Sequence, residues 1–471
     1  MKKTKTQITS PFIQFFGIAV SSLLLLCLSN CSPKIAGVTL PYDSLSEFSI
    51  SGDQEMADQW WIAFEDQQLN QVIDTALSAN LTLQAIWYQL KEAESLVTIA
   101  SSTLLPDASF EVQTGVSRPQ PDFVGGENTQ ISLRSNYEVD LWGRIRYAAH
   151  AEHYQMKATY FDYKTAAISL SAEIALTWFR IKATKYQLQL VDQQITTNEQ
   201  VLALIRARFA SGQVRGVDIL RQRQLIEATR SQEISLELQL EILENQLSVL
   251  AGQPPGMTFE TDASLPDLPG LPKTGIPLQL VNRRPDVQSA YYELQSADRS
   301  LAASISNRYP RLSFSLTGAI RSNTYTDLFQ SQAVSIGGSL LAPIFTGGRL
   351  KAQVDQADAV RQQRLNDYGQ AVLTAFQEVE NALVQEQKQL DRIANIEEQV
   401  ELTERSYGQL RIEYLNGFIP YLDVLVALDQ QQELRRSLVT ARLNLFETRI
   451  GLYRALAGDF ELEMEDLQKE G

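Results

Sequence analysis

Few residues in this sequence have the types and spacing that catalysis or metal binding requires. The two histidines, His150 and His153, lie three residues apart on a predicted helix, where two ring nitrogens could hold a metal ion. No cysteine lies near them, so we interpret the pair as part of a solvated helix face. The two cysteines, Cys27 and Cys31, lie near the N-terminus, which disfavours a Cys–His nucleophile. The sequence therefore predicts neither an enzyme nor a metal site.

Phosphate-binding and nucleic-acid-binding signals are also weak. Glycine pairs at 125, 337 and 347 lack the lysine and the strand–loop–helix setting of a phosphate loop. Carboxylates are spread along a chain with a formal net charge of −15, so they single out no hydrolase. Without a basic stripe, such a chain is not expected to bind nucleic acid. We therefore expect no cofactor and no nucleic-acid partner.

Two aspartates follow short turns that interrupt long predicted helices. The turns are residues 210–218, "ASGQVRGVD", and 415–423, "LNGFIPYLD". Gly212 in the first turn, and Gly417 and Pro420 in the second, are residues that end helices. Asp218 and Asp423 come just after, where an aspartate can cap the returning helix and complement its dipole. Helix capping is one interpretation of both aspartates. A second interpretation needs the arrangement of the helices on either side of each turn.

Cys31 follows a segment that has the pattern of an export signal. Residues 1–30 begin with "MKKTK" and continue with an apolar stretch of signal-peptide length. "LSNC", ending at Cys31, resembles a bacterial lipobox, in which the thiol carries diacylglycerol through a thioether. We expect lipidation at Cys31, with a plain signal peptide as the alternative. Ser32 does not match the aspartate signal for inner-membrane retention, which favours a lipid anchor in the outer membrane.

The rest of the chain is a tandem repeat. "LPDASFEV" at 105–112 matches "YPRLSFSL" at 309–316, and "DLWGRI" at 140–145 matches "PIFTGGRL" at 343–350. The tip turns match at a spacing of 205 residues, with Asp218 aligned on Asp423. The halves are predicted to span 61–252 and 277–458, joined by a Pro/Gly-rich linker at 253–276. An extended segment, 31–60, precedes them, and an acidic tail, 459–471, follows.

Each half has the same order of predicted elements. A helix, 66–104 or 286–307, precedes a β-hairpin, 109–141 or 312–345, in which apolar residues alternate. A helix of 144–209 or 349–414 follows, then the tip turn and a return helix ending near 250 or 456. No later segment is apolar enough for a membrane helix, so a membrane crossing would need strands in a closed barrel. Four strands per chain cannot close one, so several chains must contribute.

Several motifs together resemble one family. They are "DLWGRIR" at 140–146, "RRPDVQSA" at 283–290, "APIFTGGRL" at 342–350 and "YLNGFIPYLDVL" at 414–425. With Cys31 and the repeat, they resemble the TolC-type outer-membrane factors, in particular the lipoprotein members that serve resistance–nodulation–division efflux pumps. The resemblance implies a mixed α and β membrane protein. It implies a homotrimer with a 12-stranded outer-membrane β-barrel, four strands per chain, continued by a long periplasmic α-helical barrel.

The resemblance also implies roles for particular residues. In the family the Gly-containing turns converge at a periplasmic aperture. Asp423 matches an aperture aspartate there, the second such position is Val426 here, and Asp429 comes one turn later. Asp218 is the equivalent position in the first half. The barrel–helix junctions are predicted at Trp142, Gly143 and Arg144, and at Phe345, Gly348 and Arg349. Trp142 and Phe345 are expected to anchor at the membrane interface or to pack internally.

The favoured function is a passive export duct in the outer membrane, docked on a periplasmic membrane-fusion adaptor and an inner-membrane pump of the resistance–nodulation–division type. One alternative is the outer-membrane exit of a type I protein-secretion system. Another, of a different class, is a periplasmic coiled-coil scaffold lipoprotein that forms no channel.

Overall fold

The computed structural model describes residues 47–55, 59–117, 126–259, 261–275, 277–322 and 331–456. The predicted signal peptide, Cys31 and the acidic tail lie outside these residues. In the described ranges a 3-10 helix, Trp60–Phe64, precedes eight helices and four strands. They are α1 (Gln67–Ala79), α2 (Leu81–Ser102), β1 (Asp107–Ser117), β2 (Gly126–Val139), α3 (Arg144–Ala210), α4 (Gly216–Leu250), α5 (Pro277–Arg283), α6 (Pro285–Ser306), β3 (Arg311–Ser322), β4 (Gln332–Leu341), α7 (Arg349–Leu415) and α8 (Tyr421–Leu456).

The two longest helices, α3 and α7, have 67 residues each. At about 1.5 Å per residue each helix is about 100 Å long. Neither contains proline, and α3 contains no glycine either, so nothing in their sequences removes a backbone hydrogen bond. None of the helices in the described ranges combines the length and the apolar content that a membrane-spanning helix requires.

The predicted helix 66–104 is two helices in the structure. The break is at Asn80, whose backbone is extended. Its side-chain Oδ1 accepts a hydrogen bond from the Leu83 N–H at 2.9 Å and so caps α2. Its Nδ2 donates to the Leu250 carbonyl at 2.9 Å, a contact with the end of α4. Asn80 therefore caps α2 locally and also links the break to a residue 170 positions away in the chain.

One compact unit contains residues 93–156 and 292–366 of the described chain. Its four strands form an antiparallel sheet in the order β1-β2-β3-β4. The first hairpin lies two residues earlier than predicted, from Asp107 to Val139, and the second runs from Arg311 to Leu341, ending four residues earlier than predicted. Leu141 and Phe345 thus lie in the connections to the helices and not in strands.

The register gives this sheet one apolar face and one polar face. Phe110 pairs with Leu133, Leu133 with Gly318, and Gly318 with Val334, so these positions share a face. Alternate residues such as Glu111 and Arg134 share the other face, where their side chains form an ion pair at 3.4 Å. Apolar side chains on the first face are exposed within the chain, among them Phe110, Val112, Leu133, Phe314, Val334 and Ile336.

The second unit contains residues 41–92, 157–291 and 367–471, where described. Its core packs aromatic residues of the 3-10 helix against both halves of the repeat. Trp60 stacks on Tyr453 of α8 at 5.7 Å between ring centroids, and Phe64 lies 5.0 Å from Phe179 of α3. Trp60, the last residue of the predicted N-terminal segment, is therefore part of this core.

The predicted linker, 253–276, makes specific contacts in this unit. Lys185 Nζ donates to the Phe259 carbonyl at 2.7 Å, and Lys182 Nζ lies 2.6 Å from Asp262 Oδ1. Arg449 of α8 donates to the Gly270 carbonyl at 2.7 Å. The segment is thus held against α3 and α8 by three long cationic side chains.

Candidate functional site

The two tip turns end their helices in the same way. Gly212 and Gly417 both adopt a left-handed backbone, with φ of 76° and 80°, which favours glycine. In the first turn the Gln213 N–H donates to the Arg208 carbonyl at 2.9 Å, and in the second Phe418 donates to Glu413 at 3.0 Å. This is the glycine-terminated helix end that the repeated sequence predicts. Pro420 then stands just before α8, where a missing N–H costs nothing.

The turns are packed against each other. Ile205, Tyr414, Tyr421 and Val424 form a buried cluster, in which the two tyrosine rings lie 5.5 Å apart, edge to face. Arg208 of α3 lies over the Tyr414 ring at 4.8 Å and donates to the Leu415 carbonyl at 3.0 Å. A cation here satisfies the last carbonyls of α7 and complements its dipole. The two halves of the repeat thus form one joined tip.

Asp218 is buried within this tip, with 4% of its surface exposed. Its Oδ2 accepts a hydrogen bond from the Arg215 N–H at 3.3 Å, which is a capping contact at the start of α4. Its Oδ1 lies 3.6 Å from Arg221 Nη1, an ion-pair distance. Both contacts are made at the start of α4 and are those of a helix cap. The aperture role of Asp218 stays a prediction.

Asp423 and Asp429 are both exposed on α8. No described residue hydrogen-bonds to, or forms an ion pair with, the side chain of Asp423; its N–H donates to the Pro420 carbonyl at 3.4 Å. The two aspartates are six residues apart, so their side chains point about 120° apart around the helix. The two carboxylates therefore leave α8 in different directions, and the aperture role of each stays a prediction.

A chain of buried polar side chains begins at the tip and was not expected from the sequence. The Tyr421 hydroxyl donates to Gln222 Oε1, and Gln222 Nε2 donates to the Asn198 carbonyl at 2.8 Å. Asn198 and Gln432 exchange side-chain hydrogen bonds at 3.2 and 3.0 Å. Burial raises the pKa of Tyr421, and the neighbouring Tyr407, Tyr414 and Asp218 raise it further, so the hydroxyl keeps its proton.

This polar chain joins α3, α4 and α8. Its members are almost fully buried and fully paired, which makes the helix register specific because any shift would leave amides without partners. In the sequence, the sign of this polar chain is the presence of polar residues at helix positions where the apolar stripe should continue. Sequence periodicity alone does not tell such a position from a solvated one.

At the first junction between strand and helix, Trp142 is held by the second half of the repeat. Its Nε1 donates to the Pro310 carbonyl at 2.7 Å, and its ring lies 5.1 Å from that of Tyr309. The Ser306 hydroxyl donates to the Trp142 carbonyl at 3.0 Å.

Gly143 and Arg144 complete this junction. Gly143 has a φ of 77°, and a Cβ there would lie 2.8 Å from the Tyr147 ring, so glycine is required. Arg144 forms an ion pair with Glu138 at 2.9 Å.

The second junction has a different environment. Phe345 aligns with Trp142 but is 90% exposed within the chain. Gly348 has a φ of 86°, and the Arg349 N–H donates to the Thr346 carbonyl at 3.1 Å where α7 begins. Two junctions that align in sequence are thus packed in one case and open in the other.

The histidines remain on α3, where His153 lies beside Tyr154 with ring centroids 6.1 Å apart. In the part of the chain that the structure describes, no three His, Cys, Asp or Glu side chains are grouped to hold a metal ion.

Comparison with known proteins places these features in a family. Residues 72–253 and 276–458 each match the family described as "Outer membrane efflux protein", so both halves of the repeat are covered. The chain is 28% identical to the pyoverdine export outer membrane protein OpmQ of Pseudomonas putida, over 94% of this chain and 97% of that protein. It is 25% identical to the cation efflux system protein CusC of Escherichia coli, over 93% and 97%.

A solved structure of the outer-membrane channel OprN has the same fold. The TM-score is 0.82, with 24% identity over 92% of this chain and 97% of that one. The predicted resemblance and the predicted outer-membrane location are confirmed by the family match, and the family is one of efflux proteins and not of enzymes. With both halves of its repeat matched, the chain belongs to the outer membrane efflux protein family.

Proposed function

We propose that the chain forms a trimeric outer-membrane duct of a tripartite efflux pump and passively exports small molecules. In this proposal a periplasmic adaptor and an inner-membrane pump of the resistance–nodulation–division type deliver the solute. Cys31 carries the lipid anchor. The duct itself does no chemistry and uses no nucleotide.

The observation that carries the proposal is the four-stranded sheet. One face is apolar and exposed, the other is polar, and β1 and β4 each lack a second strand partner among the described residues. In a membrane every backbone group must be paired, so a sheet with free edges must be closed by other chains. Three copies would supply twelve strands, within the range of outer-membrane barrels, with the apolar face toward lipid and the polar face inside.

The joined tip is the proposed aperture. Gly212, Gly417 and Pro420 form its turns, and Asp423 is the acidic residue proposed to line the opening. Asp429 points in another direction on α8 and would belong to a different ring or surface. Asp218 is proposed to act as a helix cap that keeps the tip rigid.

Substrate choice is proposed to reside in the pump and not in this chain. The name of OpmQ refers to pyoverdine export and that of CusC to cation efflux, and these are unlike solutes. The two relatives are nearly equal in length and similarly identical to this chain, yet their names refer to different solutes. This favours a general duct over a selective one. Both names favour small solutes over the protein cargo of a type I secretion system.

Conductance across a planar lipid bilayer tests the proposal. Protein extracted in detergent from outer membranes should insert as discrete conductance steps and migrate on gels as a heat-sensitive trimer. The matched control is the same preparation from cells without the gene. A monomer that gives no conductance would overturn the duct and favour the scaffold alternative.

A further inference from the structure

The contacts of Trp142 show how one half of the repeat seats on the other. The connection between β2 and α3 lies on the connection between α6 and β3. Three contacts define it: Trp142 Nε1 to the Pro310 carbonyl, the Trp142 ring on Tyr309, and the Ser306 hydroxyl to the Trp142 carbonyl. All of these residues lie within the sheet-containing unit.

The repeat places an equivalent of each of these residues elsewhere in the same unit. A shift of 204 residues carries Ser306, Tyr309 and Pro310 back to Ser102, Leu105 and Pro106, and Trp142 corresponds to Phe345. The second seat therefore has an aromatic residue on one side and a proline, an apolar side chain and a serine on the other.

Among the residues that the structure describes, nothing fills this second seat. Leu105 is 69% exposed and Phe345 is 90% exposed. The Ser102 hydroxyl donates only to the Ile99 carbonyl of its own helix, at 2.7 Å, whereas Ser306 also reaches across to the Trp142 carbonyl. The described residues thus contain one filled seat and the two separated parts of another.

The two parts cannot meet in one molecule. Leu105 precedes β1 and Phe345 follows β4, and these strands are the opposite edges of the sheet. Two strands lie between them, so the edges are about 14 Å apart at about 4.8 Å per strand. A second copy of this chain, with its β1 beside β4, would bring the parts together in the same way as β2 and β3 do here.

We propose that Phe345 of each copy packs on Leu105 and Pro106 of the next copy, and that Ser102 of that copy donates a hydrogen bond to the Phe345 carbonyl. Phenylalanine has no ring N–H, so this contact is apolar where Trp142 makes a hydrogen bond. Each copy supplies one aromatic residue and one seat, which is a head-to-tail contact that closes into a ring. The proposal rests on the proposed oligomeric duct and assigns Phe345 to the subunit interface and not to the lipid surface.

Cross-linking in outer membranes tests this contact. The full chain carrying Leu105→Cys and Phe345→Cys is treated with a short bismaleimide, and covalent dimers and trimers are expected on denaturing gels. Each single variant should stay monomeric on these denaturing gels. The single variants also serve as the control for cross-linking through Cys31. The matched control pair is Leu105→Cys with Val360→Cys, since Val360 is exposed on α7 about two to three turns beyond its start.

A second variant tests the same geometry without cysteine. Phe345→Trp would offer an indole N–H to the Pro106 carbonyl, as Trp142 does to Pro310, and is expected to raise the temperature at which trimers dissociate. Phe345→Ala is expected to lower it.

The outcomes separate this inference from the proposed function. If amine cross-linking shows the unsubstituted protein as a trimer but the cysteine pair gives no covalent oligomer, the contact is wrong and the duct stands. If the control pair links as readily as the test pair, the contact is also wrong. If the unsubstituted protein is monomeric, the proposed function itself fails.

Discussion

Asp218 is buried at the first tip turn, and its equivalent Asp423 is exposed at the second. The difference arises because the tip is not symmetric. Tyr421, at the start of α8, enters the buried cluster, while Gly216 at the aligned position in α4 has no side chain to contribute. One repeated aspartate therefore caps a helix, and the other is free to face an opening.

Asp423→Ala is the sharpest test at the tip. In the proposed duct, removing the Asp423 carboxylate from the aperture weakens the attraction of the aperture for cations, so single-channel cation selectivity should fall and the conductance should change. The control is Asp391→Ala, also exposed on a long helix but about 36 Å from the end of α7 by helix rise. Equal conductance of Asp423→Ala and the unsubstituted protein would contradict an aperture role for Asp423.

Asp66 gives a prediction about pH. Burial alone would raise its pKa, but hydrogen bonds from Trp178 Nε1 and the Leu69 N–H, with the ammonium of Lys182, outweigh burial and lower the pKa. A lowered pKa means that stability from Asp66 is present above its unfolded value of about 3.9 and is lost as pH falls through the folded value. Asp66→Asn should therefore lower the melting temperature most at pH 7.

Melting in detergent from pH 7 to pH 3 measures this effect. The gap between Asp66→Asn and the unsubstituted protein should narrow toward acid, because the unsubstituted protein then loses the same contribution. Asp74→Asn, an exposed substitution on the same helix, is the control and should melt as the unsubstituted protein does. A gap that is constant with pH would show that Asp66 acts through packing alone.

At the scale of elements, the segment between the repeats is an integral part of its unit. Arg449 of α8 forms a buried ion pair with Glu386 of α7, at 2.8 Å between Nε and Oε2, and also donates to the Gly270 carbonyl. One side chain thus ties together two helices and the segment that joins the halves. A buried pair of this kind is costly to break, because the remaining charge has no partner.

Arg449→Met should destabilise the protein by about 3–5 kcal/mol, since Glu386 would stay buried without its cation. Adding Glu386→Leu removes the unpaired charge and should recover much of the lost stability. If Arg449→Met acted only by leaving a cavity, the second substitution would not restore stability. Arg442→Met is the control on the same helix: its partner Glu397 is exposed, and such pairs contribute about 0–1 kcal/mol. Denaturant unfolding measures all three variants, and equal effects of Arg449→Met and Arg442→Met would contradict the prediction.

At the scale of the whole molecule, the sheet is incomplete as a single chain. Its apolar residues lie on one exposed face, and β1 and β4 each have an edge with no strand partner among the described residues. In water, the exposed apolar face and the unpaired edges both favour aggregation. If copies join edge to edge in lipid, the edges are paired and the apolar face contacts lipid.

Neighbouring residues of β4 separate the two faces. Ile336→Arg would place a cation on the proposed lipid face, at a cost of about 2–4 kcal/mol near the bilayer centre, and should reduce the amount of outer-membrane trimer. Ser335→Arg, on the polar face, should assemble normally and change ion selectivity. The measurements are trimer yield on gels and bilayer recordings, and equal assembly of both variants would contradict the assignment of the faces.

Most elements of this protein and their order could be predicted from local sequence patterns, with the break at Asn80 as an exception. Helices without proline, glycine-terminated tip turns and alternating strands are set by interactions within a few residues, and they appear near the predicted positions. The repeat, visible as matching segments about 204 residues apart, also needed no coordinates. The motifs of the tip and the junctions were enough to indicate the family.

The environment of each repeated residue could not be predicted from the sequence, because it depends on contacts between distant parts of the chain. Asn80, at the break between α1 and α2, donates to a carbonyl 170 residues away, and the polar chain from Tyr421 joins three helices. Asp218 differs from Asp423, and Trp142 from Phe345, because the partners of each come from distant parts of the chain. The local sequence pattern is the same for both members of each pair. The burial of each side chain and its contacts depend on how distant elements pack, so they could be seen only in the structure.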